Sequence, residues 1–215
     1  MESYYGKTRF QQADEVQHRR VQQGRQGTKI GAWAISQARE IGVGGVLFDL
    51  ACGNGRHLPG LAEGGRKVLA GDVSEGMLKA AREIPTEASV RAFVRLEAER
   101  LPLADKSCEV VFSARFFHHL PSRDLRERIL CEAFRVSRSG AVITYKARYT
   151  FEHFESRIKH FLRRSQPSHQ WYFAGEDEFR EIAERNGWRI GRRFSPHGRF
   201  SANRALVFVP MENGG

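Results

Sequence analysis

The segment Val46-Leu47-Phe48-Asp49-Leu50-Ala51-Cys52-Gly53-Asn54-Gly55-Arg56 constrains this chain more than any other. A short apolar run stops at an acid and a Gly-x-Gly turn, and an amphipathic stretch follows. A buried parallel strand hands over to a helix in this way, with its carboxyl end open to a ligand. Glycine at 53 and 55 removes the Cβ atoms that would hold a ligand off the backbone. The first turn of the next helix is expected to offer unpaired N–H groups to a carboxylate or phosphate. The turn is a candidate site for a nucleotide-like cofactor.

The neighbouring residues narrow the choice. A dinucleotide fingerprint requires a third glycine where this chain has Leu58, and no phosphate loop ending in Gly-Lys-Ser/Thr is present. Val68-Leu69-Ala70-Gly71-Asp72-Val73-Ser74 reads as a second strand that ends in an acid placed to accept hydrogen bonds from both hydroxyls of a ribose. The pair suits a ribose-bearing ligand without a pyrophosphate. Further strands are expected at 90–96, 108–114 and 140–146 beyond those at 44–50 and 67–72, with helices near 55–64, 75–84 and 122–136 between them. Strands alternating with helices imply parallel pairing through right-handed crossovers. The last third reads as helices near 151–164 and 176–186 and strands near 188–195 and 203–209, the strands closing as an edge hairpin.

Four passages in this order, Phe48–Arg56, Ala70–Leu78, Glu97–Asp105 and Phe116–Leu120, resemble the class I S-adenosylmethionine-dependent methyltransferases, particularly the small-molecule branch that includes quinone and lipid methylases. The resemblance is close over roughly residues 44–146 and in outline beyond. It implies a Rossmann-like, doubly wound, seven-stranded and mostly parallel sheet with a C-terminal antiparallel hairpin, and S-adenosyl-L-methionine as cofactor. It implies that Gly53 and Gly55 flank the methionine part, that Asp72 holds the ribose, and that Glu97 and the Ala98 backbone meet the adenine edge. Asp49, Ala51, Val73, Met77 and Arg115 complete the expected cofactor shell. Asp49 either touches the ligand or orients the loop, Glu97 is an adenine contact or a solvated acid, and Met77 packs under the adenine or in the core. Two residues depart from the family pattern: Ala51 stands where glycine is frequent, and Arg138-Ser139-Gly140 replaces a common Lys-Pro-Gly.

Chemistry is less tightly specified. Methyl transfer is an in-line displacement in which alignment dominates, with a base added where the acceptor must lose a proton. His118 and His119 follow the fourth strand and are candidate catalytic bases, although a His-His-Leu there is equally a structural feature of the family. Tyr4, Tyr5, His153 and Tyr172 are candidate substrate contacts, with His169 and Trp171 beside them. The residues after the fourth strand, Ser113-Ala114-Arg115-Phe116, lack the acidic or Asn-Pro-Pro-Tyr motif of adenine-N6 and glutamine-N5 methylation.

At 215 residues the chain suits a single domain over 1–215, with an N-terminal helical cap at 1–42 and a basic amphipathic insertion or lid at 147–175. No apolar stretch is long enough to span a bilayer, the N-terminus has no secretory pattern, and three cysteines without metal or disulfide spacing suit a reducing cytoplasm as buried small hydrophobes. The net charge is +10, and between Lys146 and Arg204 there are 13 Lys/Arg against 7 Asp/Glu. Phe151, Phe154, Ile158, Phe161 and Leu162 recur at helical spacing against Arg157, Lys159, Arg163 and Arg164. Segment 151–164 is therefore a lid, a membrane-surface contact or an RNA contact. The expectation is a cytoplasmic methyltransferase acting on a small-molecule or lipid-like acceptor. The alternatives are an RNA or protein methyltransferase using the basic face and a non-catalytic cofactor-binding scaffold or regulatory protein.

Overall fold

The structure, a computed structural model, describes residues 29–84, 90–151, 153–154, 171–198 and 200–212. Its elements are helix α1 (Lys29–Ile41), strand β1 (Val46–Leu50), α2 (Leu58–Ala62), β2 (Lys67–Asp72), α3 (Glu75–Arg82), β3 (Val90–Arg95) and β4 (Cys108–Ser113). A 3-10 turn at Phe117–His119 leads to α4 (Arg123–Val136), β5 (Ser137–Lys146), α5 (Glu176–Arg185), β6 (Trp188–Phe194) and β7 (Asn203–Pro210). The seven strands form one sheet in the order β3-β2-β1-β4-β5-β7-β6. β1 to β5 pair in parallel, whereas β7 is antiparallel to both β5 and β6.

Alternation along β1 explains the two layers of helices. Leu47 faces one side with Val68, Val110 and Val142, where α1 packs through Ala34 and Ala38 and α2 through Leu58 and Leu61. Phe48 and Leu50 face the other side, covered by Ile129 and Ala133 of α4 and by Phe179 and Ile182 of α5. Both faces of the central strands are thus covered, the condition under which a parallel sheet reads as a continuous apolar run. The chain leaves β1 for β2 on one side and returns to β4 on the other, so a crevice opens at the carboxyl ends of β1 and β4.

The start of β5 and the start of α2 differ from the sequence expectation. β5 begins at Ser137 because Ser137 pairs with Cys108 ahead of a register shift, after which Gly140 pairs with Val110. α2 begins only at Leu58, since Gly53 and Gly55 both adopt positive φ and keep the chain turning. The described part of the expected N-terminal cap is α1; it packs on the sheet face through Ala34 and Ala38 and lines no part of the crevice described below. Cys52 and Cys108 are buried, but Cys131 is only half-buried, its thiol donating to Asn186 Oδ1 at 3.6 Å. Among the described residues no helix is long and apolar enough to cross a membrane.

α4 and α5 are joined by a buried ion pair. Arg126 donates to both Glu178 carboxylate oxygens, at 2.6 and 3.0 Å, and to the Leu120 carbonyl at 2.7 Å. The second guanidinium on Glu178 is that of Arg148, at 3.4 Å, which ties the chain after β5 to the same carboxylate.

Candidate active site

The turn after β1 is fixed by main-chain bonds. Ala51 takes φ 60, a left-handed conformation that costs a residue with a Cβ about 1–2 kcal/mol. The Cys52 amide repays part of this by donating to the Gly71 carbonyl at 3.0 Å, pinning the turn to β2. Gly53, at φ 57, donates its amide to Asp72 Oδ2 at 2.8 Å, and Ser74 donates its amide to Asp72 Oδ1 at 2.9 Å. One carboxylate therefore binds the tips of β1 and β2 together. Ser74 also caps α3, its hydroxyl accepting from the Met77 amide.

The two glycines serve different ends. A Cβ on Gly53 would meet nothing within 4 Å, so this backbone is open to a ligand. A Cβ on Gly55 would stand 3.0 Å from Ala81 Cα, so that glycine, at φ 76, permits close packing of the turn against α3. The expected amide donors of the following helix are not available in the expected form: the Leu58 amide already donates to the Gly55 carbonyl, and Pro59 has none. Asn54, Arg56 and His57 line the crevice in their place.

Asp49 lies beneath this turn, paired in register with Ala70 and Phe112. Its Oδ2 has no hydrogen-bond partner among the described residues, and burial, reinforced by the Asp72 charge, pushes its carboxyl up to about 8. Burial also raises the Asp72 carboxyl, against the lowering effect of its backbone hydrogen bonds.

The second wall comes from β4 and β5. Arg115 follows β4 at φ 60, and its amide donates to the buried Thr144 hydroxyl at 2.7 Å. The 3-10 turn then places His118 under Trp171, ring centroids 6.5 Å apart, and beside His119 at 4.2 Å. The Tyr172 amide donates to the His118 carbonyl and the Ala174 amide to the Lys146 carbonyl, each at 2.9 Å, so residues 171–174 are strapped along the end of β5. Lys146 is buried, with its ammonium 4.4 Å from the Trp171 ring centroid, a cation–π contact. Burial, then the charges of His119, Arg115 and Lys146, lowers the His118 pKa to about 2. His57, edge-on to Phe112, is lowered to about 4 by burial and by Arg56 and Arg115, and its Nε2 has no hydrogen-bond partner among the described residues.

These walls enclose a cavity of about 570 Å³, within the roughly 300–1,000 Å³ of ligand sites. Of the residues predicted for the cofactor, Ala51, Gly53, Asp72, Val73, Met77 and Ala98 line it, and so does Arg115. His118 and His119 line it as well. Asp49 and Gly55 stand outside the lining, and Glu97 projects from an exposed turn bridged to Arg100. His153 is turned elsewhere: its Nδ1 accepts from the Tyr149 amide at 3.1 Å and its ring lies 4.5 Å from that of Phe173. Tyr172 contributes its backbone to the strap and does not line the cavity. Tyr4, Tyr5, His169 and residues 155–164 of the basic segment lie outside the described residues; Phe151 and Phe154 of its apolar stripe are exposed.

Sequence reasoning missed Arg56, His57, Leu96 and Phe116. The fold shows why Leu96 reaches the cavity: a Cβ on Gly71 would meet Leu96 Cδ2 at 2.8 Å, so Leu96 lies close over β2. Met77, Leu96 and Ala98 form an apolar shelf beside the Asp72 carboxylate. An acid beside an apolar shelf and an open glycine backbone suits a ligand with a ribose, a flat base and a polar tail.

Comparison with known proteins agrees. Residues 48–145 match the family described as a methyltransferase domain. A malonyl-[acyl-carrier protein] O-methyltransferase from Methylococcus capsulatus is 34% identical over 102 residues, covering 46% of this chain and 36% of that protein. The chain thus matches little more than a third of that relative's length. Among solved structures, a magnesium protoporphyrin IX methyltransferase from Synechocystis with bound SAH superposes with a TM-score of 0.69 at 20% identity, covering 89% of this chain and 84% of that one. A putative methyltransferase of Haloferax volcanii, in complex with the Trm112 methyltransferase activator, gives 0.68 at 17% identity, covering 95% and 99%. At these identities the likeness is one of fold.

Proposed function

We propose that this chain is a class I S-adenosylmethionine-dependent methyltransferase and that it methylates a small-molecule or lipid-like acceptor, a reading supported by the methyltransferase-domain match over residues 48–145. The observation that carries the reading is the single cavity that runs from Gly53 and Asp72 to Phe116 and Trp171. S-adenosyl-L-methionine, when bound, supplies an electrophilic methyl group on a sulfonium. The chain's own residues bind and orient. Asp72 keeps lone pairs beyond those engaged by the Gly53 and Ser74 amides, enough to accept from ribose hydroxyls. The Met77, Leu96 and Ala98 shelf takes an adenine face, and Arg56, next to the open turn, opposes the carboxylate of the amino-acid end.

On the acceptor side, Trp171 borders the cavity, and the 171–174 strap is held at the ends of β4 and β5 by main-chain hydrogen bonds. His118, neutral and buried, holds its neighbours in place by packing; a group whose conjugate acid is that strong keeps no substrate proton at neutral pH. His119, at the same wall and less buried, is the histidine of that pair placed for proton acceptance. Arg180, Arg185, Arg192 and Arg193 of the last third each pair with a carboxylate, while the cations of segment 151–164 on which an RNA contact would rest lie outside the described residues.

A crystal structure with S-adenosylhomocysteine tests the reading. The expected result is a ribose on Asp72, the base on Leu96, and the sulfur open toward Phe116 and Trp171. Adenosine seated away from Gly53 and Asp72 overturns it. Transfer of tritiated methyl to RNA, with none to organic-extractable acceptors, overturns the acceptor assignment.

A further inference from the structure

The cavity carries its charge unevenly. Among its described lining residues the single carboxylate is Asp72, already engaged by two amides, while the fixed cations are Arg56 and Arg115. The two arginines sit on different walls. Arg56 follows the glycine turn of β1; Arg115 follows β4 and shares its wall with Phe116, His118 and Trp171.

Arg115 also differs from most arginines of the molecule. Arg126, Arg128, Arg135 and Arg138 each hold a carboxylate. The Arg115 guanidinium has no ion pair and no hydrogen bond among the described residues, although its backbone is locked at a left-handed φ by the Thr144 hydroxyl. Its field is felt across the cavity, since it disfavours protonation of both His57 and His118. A cation with no partner among the described residues, its backbone held left-handed at the edge of an apolar wall, is arranged to receive an anion. The cofactor brings one carboxylate, and Arg56 stands beside the turn that would hold that end. Arg115 is left for the other ligand.

Resting on the methyltransferase reading of this cavity, we propose that the acceptor is an apolar molecule bearing a carboxylate and that Arg115 binds that carboxylate. Planar geometry favours a carboxylate, which a guanidinium grips with two parallel N–H donors. Phe116 and Trp171 take the apolar remainder.

Calorimetry on the full chain with S-adenosylhomocysteine bound tests this, using octanoate, 1-octanol and octyl phosphate as probes. Octanoate should bind about 10- to 100-fold more tightly than octanol, the range of a charge-assisted hydrogen-bonded pair. Arg115→Asn, which keeps a residue tolerant of the left-handed backbone, should abolish that preference, and Arg115→Lys should restore part of it. Equal binding of octanoate and octanol, no octanoate binding at millimolar concentration, or a preference unchanged in Arg115→Asn overturns the proposal. Octyl phosphate binding more tightly than octanoate overturns the carboxylate assignment. If Arg115→Asn weakens S-adenosylhomocysteine but leaves 5′-methylthioadenosine, which lacks the amino-acid end, unaffected, Arg115 serves the cofactor and the proposal falls. A wild-type chain that binds no S-adenosylhomocysteine yet keeps an Arg115-dependent preference for octanoate sinks the methyltransferase reading and leaves the anion site standing.

Discussion

At the tips of β1 and β2 the cavity wall is main chain held by main chain and by one side-chain carboxylate. The Cys52 amide reaches the Gly71 carbonyl, and the Gly53 and Ser74 amides close on one carboxylate. At the tips of β4 and β5 the wall is made of side chains from separate stretches: Arg115, the His118 and His119 pair, buried Lys146, and Trp171 brought in by a strap. The first wall tolerates few residue types because backbone angles dictate it. The second can change its side chains without disturbing the turn, which suits a wall that must match an acceptor.

The largest effect separating the walls should come from the ion pair under the second. Glu178→Gln leaves Arg126 buried against a neutral amide and detaches Arg148, and it should cost about 3–5 kcal/mol of folding stability. Denaturant titration checks this; a loss below about 1 kcal/mol would mean that the second wall rests on other contacts. Asp72→Ala should weaken S-adenosylhomocysteine by about 100-fold, as expected for the loss of charged hydrogen bonds to two hydroxyls. Calorimetry reads this, and Asp72→Asn should fall between. Unchanged affinity would move the ribose off the first wall.

The glycines give a finer test. Gly55→Ala places a Cβ 3.0 Å from Ala81 and strains φ 76, and should lower stability by about 1–3 kcal/mol as a drop in Tm. Gly53→Ala has open space and should lose cofactor affinity before it loses stability. The reverse ranking would refute the division of labour between them.

Taken over a single pH unit the expected changes are the smallest, and they are slopes opposite in sign for the two walls. An unfolded aspartate releases its proton near pH ~4, whereas Asp49 in the folded chain holds it to about 8, so between these values the folded state binds the extra proton. Stability from this group falls as pH rises, by about 1.4 kcal/mol per pH unit, and Asp49→Asn should flatten that fall. His118 works the other way. The unfolded chain takes up its proton below about pH 6.5 while the folded chain stays neutral to about 2, so stability falls as pH falls through that window. His118→Asn should flatten the acid side. Unfolding midpoints of the three proteins between about pH 5 and pH 8 decide it.

How far this was legible follows from what kind of signal each residue leaves. Asp72 and Gly53 stood out because a strand-ending acid and a positive φ each demand a residue type at a fixed place in the chain. Leu96 and His57 did not stand out, because an apolar residue after a strand and a histidine before a helix fit many surroundings. Glu97 and His153 were named for chemistry their side chains are capable of, yet neither lines the cavity. Trp171 was reachable only as a possibility, since what fixes it is a strap bonded to His118 and Lys146 rather than its neighbours in sequence.

By itself the sequence determined the alternation of apolar strands and amphipathic helices, the open turn at Gly53 and the acid at Asp72. Those are local requirements: side-chain period, backbone angle and the end of a strand are set within a few residues. Only the tertiary structure decided which residues face one another across the crevice, that Asp49 keeps its proton and His118 lacks one near neutral pH, and that Arg115 stands without a carboxylate partner among the described residues. Each of those depends on burial and on charges contributed by segments far apart in the chain, and such fields exist only once the segments have packed.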